Sequence, residues 1–541
     1  MATSEKLYED SGMNRTTTHR GIVYAKKGGA AASQPLAVSA ALKILEAGGS
    51  FIDAGIALSA VISVIEPGAS GLGGDIFLVT HHAATRENLA FNGSGEAPHG
   101  ATREAFDGEI PIHGFKAATV PSVVSGWFAA HERYGKLPME QILAPAIDYA
   151  ENGFPANKGF IGRIKWHLEQ YPETTLFRDL GISSDLKLGE VVTNKEMAWV
   201  LREIIATGRH AFYDGSIAQK LISGTDGWFN AEDLAAHRTR VSAPLSIKYR
   251  DFLVHGNPPP TQGMILMEQL LIANSFTKSD MSQADWLHMQ VEAKKIAFSD
   301  RNAIIADPEI TPVDVDSILN ASHIAKRAAG IDMSKADNRS ESPAEGSDTT
   351  YFLVADSEGN AVSWIQSVFH GFGASWVVPG TGMILNNRLT GFNLDPRSPN
   401  YIAPGKRPAH TLQAFTVTNP DGTLKYVGGT PGANVQVQTN FQLVTGLIDE
   451  GMSVQEVAEA PRWMHLSDPS TSAVNEDIKG VLSIESRFGD GVIEDLRGRG
   501  HEVVVLPEYG HASSVQVLEV LPSGAFAIGS DPRAEGHAGG I

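Results

Sequence analysis

The sequence predicts an α+β chain of the αββα sandwich class, antiparallel sheets packed between helical layers. Three observations predict it. Apolar residues recur at three- and four-residue spacing over long stretches, short β-rich runs come in pairs separated by Asp/Gly turns, and no internal repeat points to a solenoid or propeller.

Taken in order, Leu36, Ala40 and Ile44, with Ala41 and Leu45, place a helix over Pro35 to Ala47, stopped by Gly48-Gly49. Ser50 and Asp53 have capping-box spacing, so a second helix runs to Ile65. It is too short to span a bilayer. Gly68 to Gly74 is a glycine loop leading into the strand Ile76 to Val79, the reverse of the strand-loop-helix order of a phosphate cradle, and no Lys-Ser/Thr ending follows. Further helices are expected at Met139 to Glu151, Lys195 to Ile205, Gly263 to Asn274, Gln283 to Ser299 and Asn440 to Glu450. The strand pairs are Ala414 to Asn419 with Lys425 to Gly428, and Val515 to Leu521 with Ala525 to Gly529. Thr349 to Asp356 forms a hairpin with Ala361 to Val368 through the turn Asp356-Ser357-Glu358-Gly359-Asn360.

Composition narrows the function classes. A net charge of −19 over 541 residues with no basic run argues against nucleic acid and anionic membrane surfaces as partners. Cysteine is absent, which excludes disulfide scaffolds, thiolate metal sites and cysteine nucleophiles. His81-His82 and the other histidines show no metal-ligand spacing, so neither metal nor cofactor is expected. Met1 to Gly21 is polar and charged without an apolar h-region, and the expected location is therefore cytoplasmic. No Gly-x-Ser-x-Gly elbow stands in a strand-to-helix setting, which disfavours a serine-triad hydrolase.

The chemistry concentrates at Asp348-Thr349. The stretch Ile331 to Asp348 is polar and lacks aromatics, and reads as an exposed connector. Apolar Tyr351-Phe352-Leu353-Val354 follows at once. A threonine hydroxyl needs a base within hydrogen-bond reach, and cutting the Asp348-Thr349 bond would give Thr349 its own α-amino group for that role. Inside an intact chain its nitrogen is a non-basic amide. Thr349 as an ordinary strand residue is the alternative reading.

Thr349 to Asp356, Gly359-Asn360-Ala361-Val362-Ser363 and Gly382-Met383-Ile384-Leu385-Asn386-Asn387 resemble the small-subunit start of γ-glutamyltransferases. Glu46 to Ala54, Glu66 to Gly74, Pro258 to Gly263, Ala297 to Arg301, Lys406-Arg407-Pro408, Thr430-Pro431-Gly432 and Ser530 to Arg533 follow in the same order as that family's motifs. The resemblance implies an αββα sandwich of the N-terminal nucleophile hydrolase type, made after self-cleavage by a large chain, 1–348, and a small chain, 349–541. The two cleaved chains would stay associated, and a dimer of such units is left open.

It further implies that Thr349 is the nucleophile, that Ser367 hydrogen-bonds it, and that the N–H groups of Gly432 and Ala433 form the oxyanion hole, Ala433 replacing a second glycine. The groups that would hold a γ-glutamyl moiety differ. Ser94 stands for the family's carboxylate-binding arginine, Phe369 for an asparagine, Arg388 for a glutamine, Gly391 for an acid, and His410-Thr411 for a serine pair. Losing the acid at Gly391 and gaining Arg388 favours a small amide substrate with a carboxylate and no obligatory α-amino group. Arg388 is either that carboxylate clamp or a structural surface arginine. The segment between Asn387 and Lys406 is short, which favours hydrolysis over transpeptidation. Small acid amides, as in oxamate amidohydrolases, and dicarboxylic-acyl amides, as in cephalosporin acylases, both suit the altered set. An unprocessed scaffold protein is the reading from another class.

Overall fold

The computed structural model describes residues 18–337, 348–467, 480–511 and 513–541. Two seven-stranded sheets form its centre, and every ladder in both is antiparallel. One runs in the order His537–Gly540, Gly28–Ala32, Asp348–Asp356, Ala361–Phe369, Asp75–His82, Glu87–Gly93, Arg240–Ser242. The other runs Val23–Ala25, Phe526–Ser530, Gln516–Val520, Leu424–Gly429, Phe415–Thr418, Phe252–Gly256, Leu245–Tyr249.

Alternation along the strands explains the layers. In Asp348–Asp356, Tyr351, Leu353 and Ala355 point to a core shared with Leu412, Val427, Leu518 and Ile528 of the facing sheet. Phe352 and Val354 point the other way, onto helices that include Pro35–Glu46 and Phe51–Ile65. The outer face of the second sheet buries Val254, Val417 and Val517 against Gly263–Ala273, Gln283–Ile304 and Gln436–Ile448. These are the four expected layers. Each sheet takes strands from both sides of position 349, so the two segments share their hydrogen bonds and their cores.

Local signals account for the element positions. Ser50 Oγ accepts from the Asp53 N–H and the Asp53 carboxylate accepts from the Ser50 N–H, which starts the helix Phe51–Ile65. Within that helix a Cβ at Gly55 would stand 2.8 Å from the Trp364 ring, so a side-chain-free position lets the hairpin's tryptophan close on the helix backbone. The hairpin turn is held by Asp356 Oδ1, which accepts from the Glu358 and Asn360 N–H groups at 3.0 and 3.1 Å. No helix among the described residues is long and apolar enough to cross a membrane.

One expectation is corrected here. Ile331 and Met333 pack against the second helical core and Ala336 is buried. Arg499 donates to the Met333 carbonyl at 2.8 Å and Lys295 Nζ to the Asp337 carbonyl at 2.8 Å. The first part of the stretch read as a connector is thus tied down, because its few apolar side chains find a helix surface. Residues 338–347 lie outside the described residues, as does the N-terminus up to residue 17.

Candidate active site

Thr349 sits at the head of the strand Asp348–Asp356, where the register with Ala361–Phe369 shifts between Asp348 and Thr350. Such a bulge re-aims a side chain at a strand end. Thr349 is buried, and its Oγ1 donates to Ser367 Oγ at 3.2 Å. Ser367 Oγ in turn accepts from the Phe369 N–H at 2.8 Å. The neighbouring Thr350 Oγ1 donates to Glu66 Oε2 at 3.1 Å, a carboxylate that Ser33 Oγ also meets at 2.7 Å. This end of the strand is therefore fixed to the start of the glycine loop.

Gly432 and Ala433 form the turn before the helix Gln436–Ile448, with φ of 124° and 45°. Both lie in the region that favours glycine, and for alanine the left-handed conformation costs roughly 1–2 kcal/mol. Gln262 Nε2 holds the turn by donating to the Ala433 carbonyl at 2.9 Å and the Thr411 carbonyl at 2.7 Å.

Four of the five expected substrate-binding residues gather around a residue that sequence reasoning missed, Asp75. Arg388 Nε donates to Asp75 Oδ2 at 3.0 Å, and His410 Nε2 lies 3.2 Å from the same oxygen. The Gly95 N–H and Ser122 Oγ donate to Oδ1 at 2.9 and 3.2 Å. Phe369 lays its ring over the Arg388 guanidinium, 3.9 Å from its centroid, and Arg388 Nη1 meets Thr411 Oγ1 at 3.5 Å. Phe369 has φ of 85°, a strained value for a bulky residue. Ser94 stands apart. It is buried, and both its hydroxyl and its N–H donate to Asn92 Oδ1.

Arg388 is not a surface arginine, since it is fully buried and its charge faces the Asp75 carboxylate. Burial pushes Asp75 up, but His410, Arg388 and the Gly95 N–H outweigh it and hold the carboxyl below its ordinary range. Burial and then Arg388 lower His410 to about 4, so its imidazole is neutral at pH 7. The Leu412 N–H donates to Nδ1 at 3.3 Å, which leaves the ring proton on Nε2, facing Asp75.

A cavity of about 280 Å³ is lined in part by Phe369. Its wall includes Phe369, Gly391, His410 and Thr411, together with Gln262, Arg301 and Asn434, while Arg388 lies behind it. Thr390 to Asn393, Ser398 and Asn400, from the short segment between Asn387 and Lys406, contribute to this wall. Gln262 and Arg301 belong to motifs visible in the sequence. Nothing in one dimension assigned them to a cavity.

Two further motifs are ion-pair anchors. Arg407 Nε donates to Glu96 Oε1 at 2.9 Å, and Arg533 reaches Glu485 Oε1 at 2.8 Å and Asp531 Oδ1 at 3.0 Å. The histidine reading is also amended. His288 and Glu292, four apart on one helix face, meet His501, and Glu268, Asp300 and His323 form a second cluster. Protein cations already engage both: Lys295 Nζ is 2.7 Å from Glu292 Oε1, and Arg327 pairs with both oxygens of Asp300. These clusters fit a structural ion pair better than a metal.

Comparison with known proteins agrees with this architecture. The chain is 35% identical to a glutathione hydrolase-like proenzyme of Bacillus subtilis, over 87% of this chain and 90% of that one. It is 35% identical to the oxamate amidohydrolase proenzyme of Klebsiella pneumoniae, over 95% and 98%. The crystal structure of the cephalosporin acylase from Bacillus halodurans superposes with a TM-score of 0.87 at 32% identity, covering 98% of each chain. The fold is accordingly the N-terminal nucleophile hydrolase sandwich. Residues 37–541 match the gamma-glutamyltranspeptidase family model, and the chain belongs to that family as one of its enzymes.

Proposed function

We propose that this protein is a self-processing threonine amidohydrolase that cleaves a γ-glutamyl or similar small carboxylate-bearing amide through an acyl-enzyme, with hydrolysis favoured over transpeptidation. The observation that carries the reading is the 3.2 Å contact between Thr349 Oγ1 and Ser367 Oγ at the head of a bulged strand.

In the uncut chain, Thr349 Oγ attacks the Asp348 carbonyl. The new C–O bond replaces the C–N bond, the hydroxyl proton passes to the nitrogen, and water then hydrolyses the ester to leave Asp348 as a carboxylic acid. The liberated α-amino group, whose ordinary pKa is about 7.7–8.0, is partly neutral at pH 7 and serves as base. It takes the Oγ proton as Oγ attacks the substrate carbonyl and returns it to the leaving amine. Water resolves the ester and releases the acid. The tetrahedral oxyanion is assigned to the N–H groups of Gly432 and Ala433, where one such donor contributes about 3–4 kcal/mol. Backbone donation explains why alanine serves in place of a glycine.

The similarity to oxamate amidohydrolase and cephalosporin acylase supports a carboxylate-bearing amide over a strict γ-glutamyl donor. Denaturing electrophoresis and mass spectrometry of the purified protein test the reading. The expected result is a small chain of 193 residues beginning at Thr349, and a single uncut band in Thr349→Ala. A wild-type preparation that is uncut and releases no amine from any amide would favour the scaffold reading instead.

A further inference from the structure

Thr349 is anchored differently in a whole and in a cut chain. While the chain is whole, backbone pairing brackets it, Asp348 with Phe369 on one side and Thr350 with Gln366 on the other. Cutting the bond before Thr349 frees it from the first pair, because Asp348 then belongs to another chain. Pairing with the neighbouring strand Gly28–Ala32 begins only at Phe352. Among the described residues, the pair of Thr350 with Gln366 is therefore the first rung of the ladder behind the new N-terminus.

A buried carboxylate adds to that rung. Thr350 is fully buried, and its Oγ1 donates to Glu66 Oε2 at 3.1 Å. Valine would suit the strand equally well. What the hydroxyl adds is this charge-assisted bond. Glu66 is itself buried and is held from the strand Gly28–Ala32, whose next two residues supply Ser33 Oγ to Oε2 at 2.7 Å and Gln34 Nε2 to Oε1 at 3.3 Å. Arg163 Nη1 stands 3.7 Å from Oε1. Residues 33, 34, 66 and 163 precede position 349, so the bond to Thr350 crosses the junction that cleavage would create.

The loop that Glu66 opens reaches the partner strand as well. The Glu66 carbonyl accepts from the Ala69 and Ser70 N–H groups at 2.9 and 3.1 Å, and the Ala69 carbonyl accepts from the Val368 N–H, one residue past Ser367, at 3.4 Å. At the far end of the loop a Cβ on Gly74 would stand 2.3 Å from the Ser367 carbonyl oxygen. One loop thus touches both strands whose side chains meet at Thr349 Oγ1 and Ser367 Oγ.

We infer that Glu66 is a positioning residue, acting through the Thr350 hydroxyl to hold the free N-terminus of the cut chain against Ser367, and that it serves turnover more than self-cleavage. This rests on the amidohydrolase reading above. Before the cut, the covalent link to Asp348 shares the task. After it, the Thr350 side carries the alignment, and a misplaced nucleophile slows the chemical step without weakening substrate binding.

The test uses Thr350→Val, Thr350→Ser, Glu66→Gln and the double variant Glu66→Gln with Thr350→Val. Pulse-chase of freshly translated precursor gives the rate at which the 193-residue chain appears. Turnover, per cut molecule, is read as amine or ammonia release from whichever of glutaryl-p-nitroanilide, γ-glutamyl-p-nitroanilide and oxamate wild type cleaves fastest. Thr350→Val is expected to lower kcat about 10-fold with KM and self-cleavage within about threefold of wild type. Thr350→Ser restores kcat to within about threefold. The double variant is no slower than the slower single one, because both changes remove one contact. An unchanged kcat in Thr350→Val, an equal loss in both of its rates, a failure of serine to rescue or multiplied losses in the double would each overturn the inference. If Glu66→Gln fails to fold, the two Thr350 variants decide. Wild type that is cut and active beside an unaffected Thr350→Val would remove only the positioning role, whereas an uncut, inactive wild type would remove the amidohydrolase reading itself.

Discussion

Replacing Asp75 by asparagine keeps its volume and removes its charge, which isolates the electrostatic role of the group at the centre of the site. Arg388 is fully buried and its Nε donates to Asp75 Oδ2 at 3.0 Å, so Asp75→Asn leaves a guanidinium in the interior without its carboxylate. Stranding one partner of a buried pair costs about 3–5 kcal/mol. An unfolding entropy of about 2.1 cal/mol/K per residue over 541 residues gives roughly 1.1 kcal/mol/K, so the midpoint should fall by about 3–4 °C. Differential scanning calorimetry of processed protein at pH 7 measures this. Removing the stranded charge as well should restore much of the loss. Asp75→Asn with Arg388→Met is expected to be at least about 2 kcal/mol more stable than the sum of the single effects, because neighbours in one ion pair are not additive. Strictly additive midpoints would refute the claim that the two charges answer each other, and would put Arg388 back in play as a substrate clamp.

Ser367→Ala removes the acceptor of the Thr349 hydroxyl and should lower kcat by about 10- to 100-fold, read as single-turnover amide cleavage, with little change in KM. An unchanged kcat would detach Ser367 from the nucleophile. Acid should remove the stability that three buried, neutral imidazoles contribute. Burial, joined at His370 and His410 by the Arg388 charge and at His255 by His81, lowers all three to about 4 against an ordinary value near 6.5. The unfolded chain therefore takes up protons first, so this contribution is complete above pH 6.5 and is lost as pH falls toward 4. The melting midpoint should drop steadily across that window, and a flat profile would contradict neutral burial of these imidazoles. Thr349→Ser should still yield the 193-residue chain, since serine supplies the same Oγ, whereas Thr349→Ala should not.

Helix starts were readable to the residue where a local chemical signal exists, as at Ser50 with Asp53, and looser where only periodicity speaks. The helix expected from Asn440 begins at Gln436, and the one expected to end at Ser299 continues to Ile304, which is what carries Arg301 to the cavity wall. The hairpin from Thr349 to Val368 was legible because alternation, a polar turn and a composition change coincide there. The substrate side was not. Aligned position marked Arg388 as replacing a polar residue and said nothing of Asp75, 313 residues away in the chain, which takes up its charge.

Sequence alone determined the main helices, the strand pairs and the change of composition at Thr349, because apolar periodicity, turn chemistry and that junction are properties of neighbouring residues. Tertiary structure alone decided which charges face each other. Arg388 and Arg301 are the same residue type, yet one is matched to Asp75 and covered by Phe369 while the other lines the cavity. The physical reason is that an arginine's role depends on what lies within a few ångströms of its guanidinium, a distance set by strands and helices from distant parts of the chain.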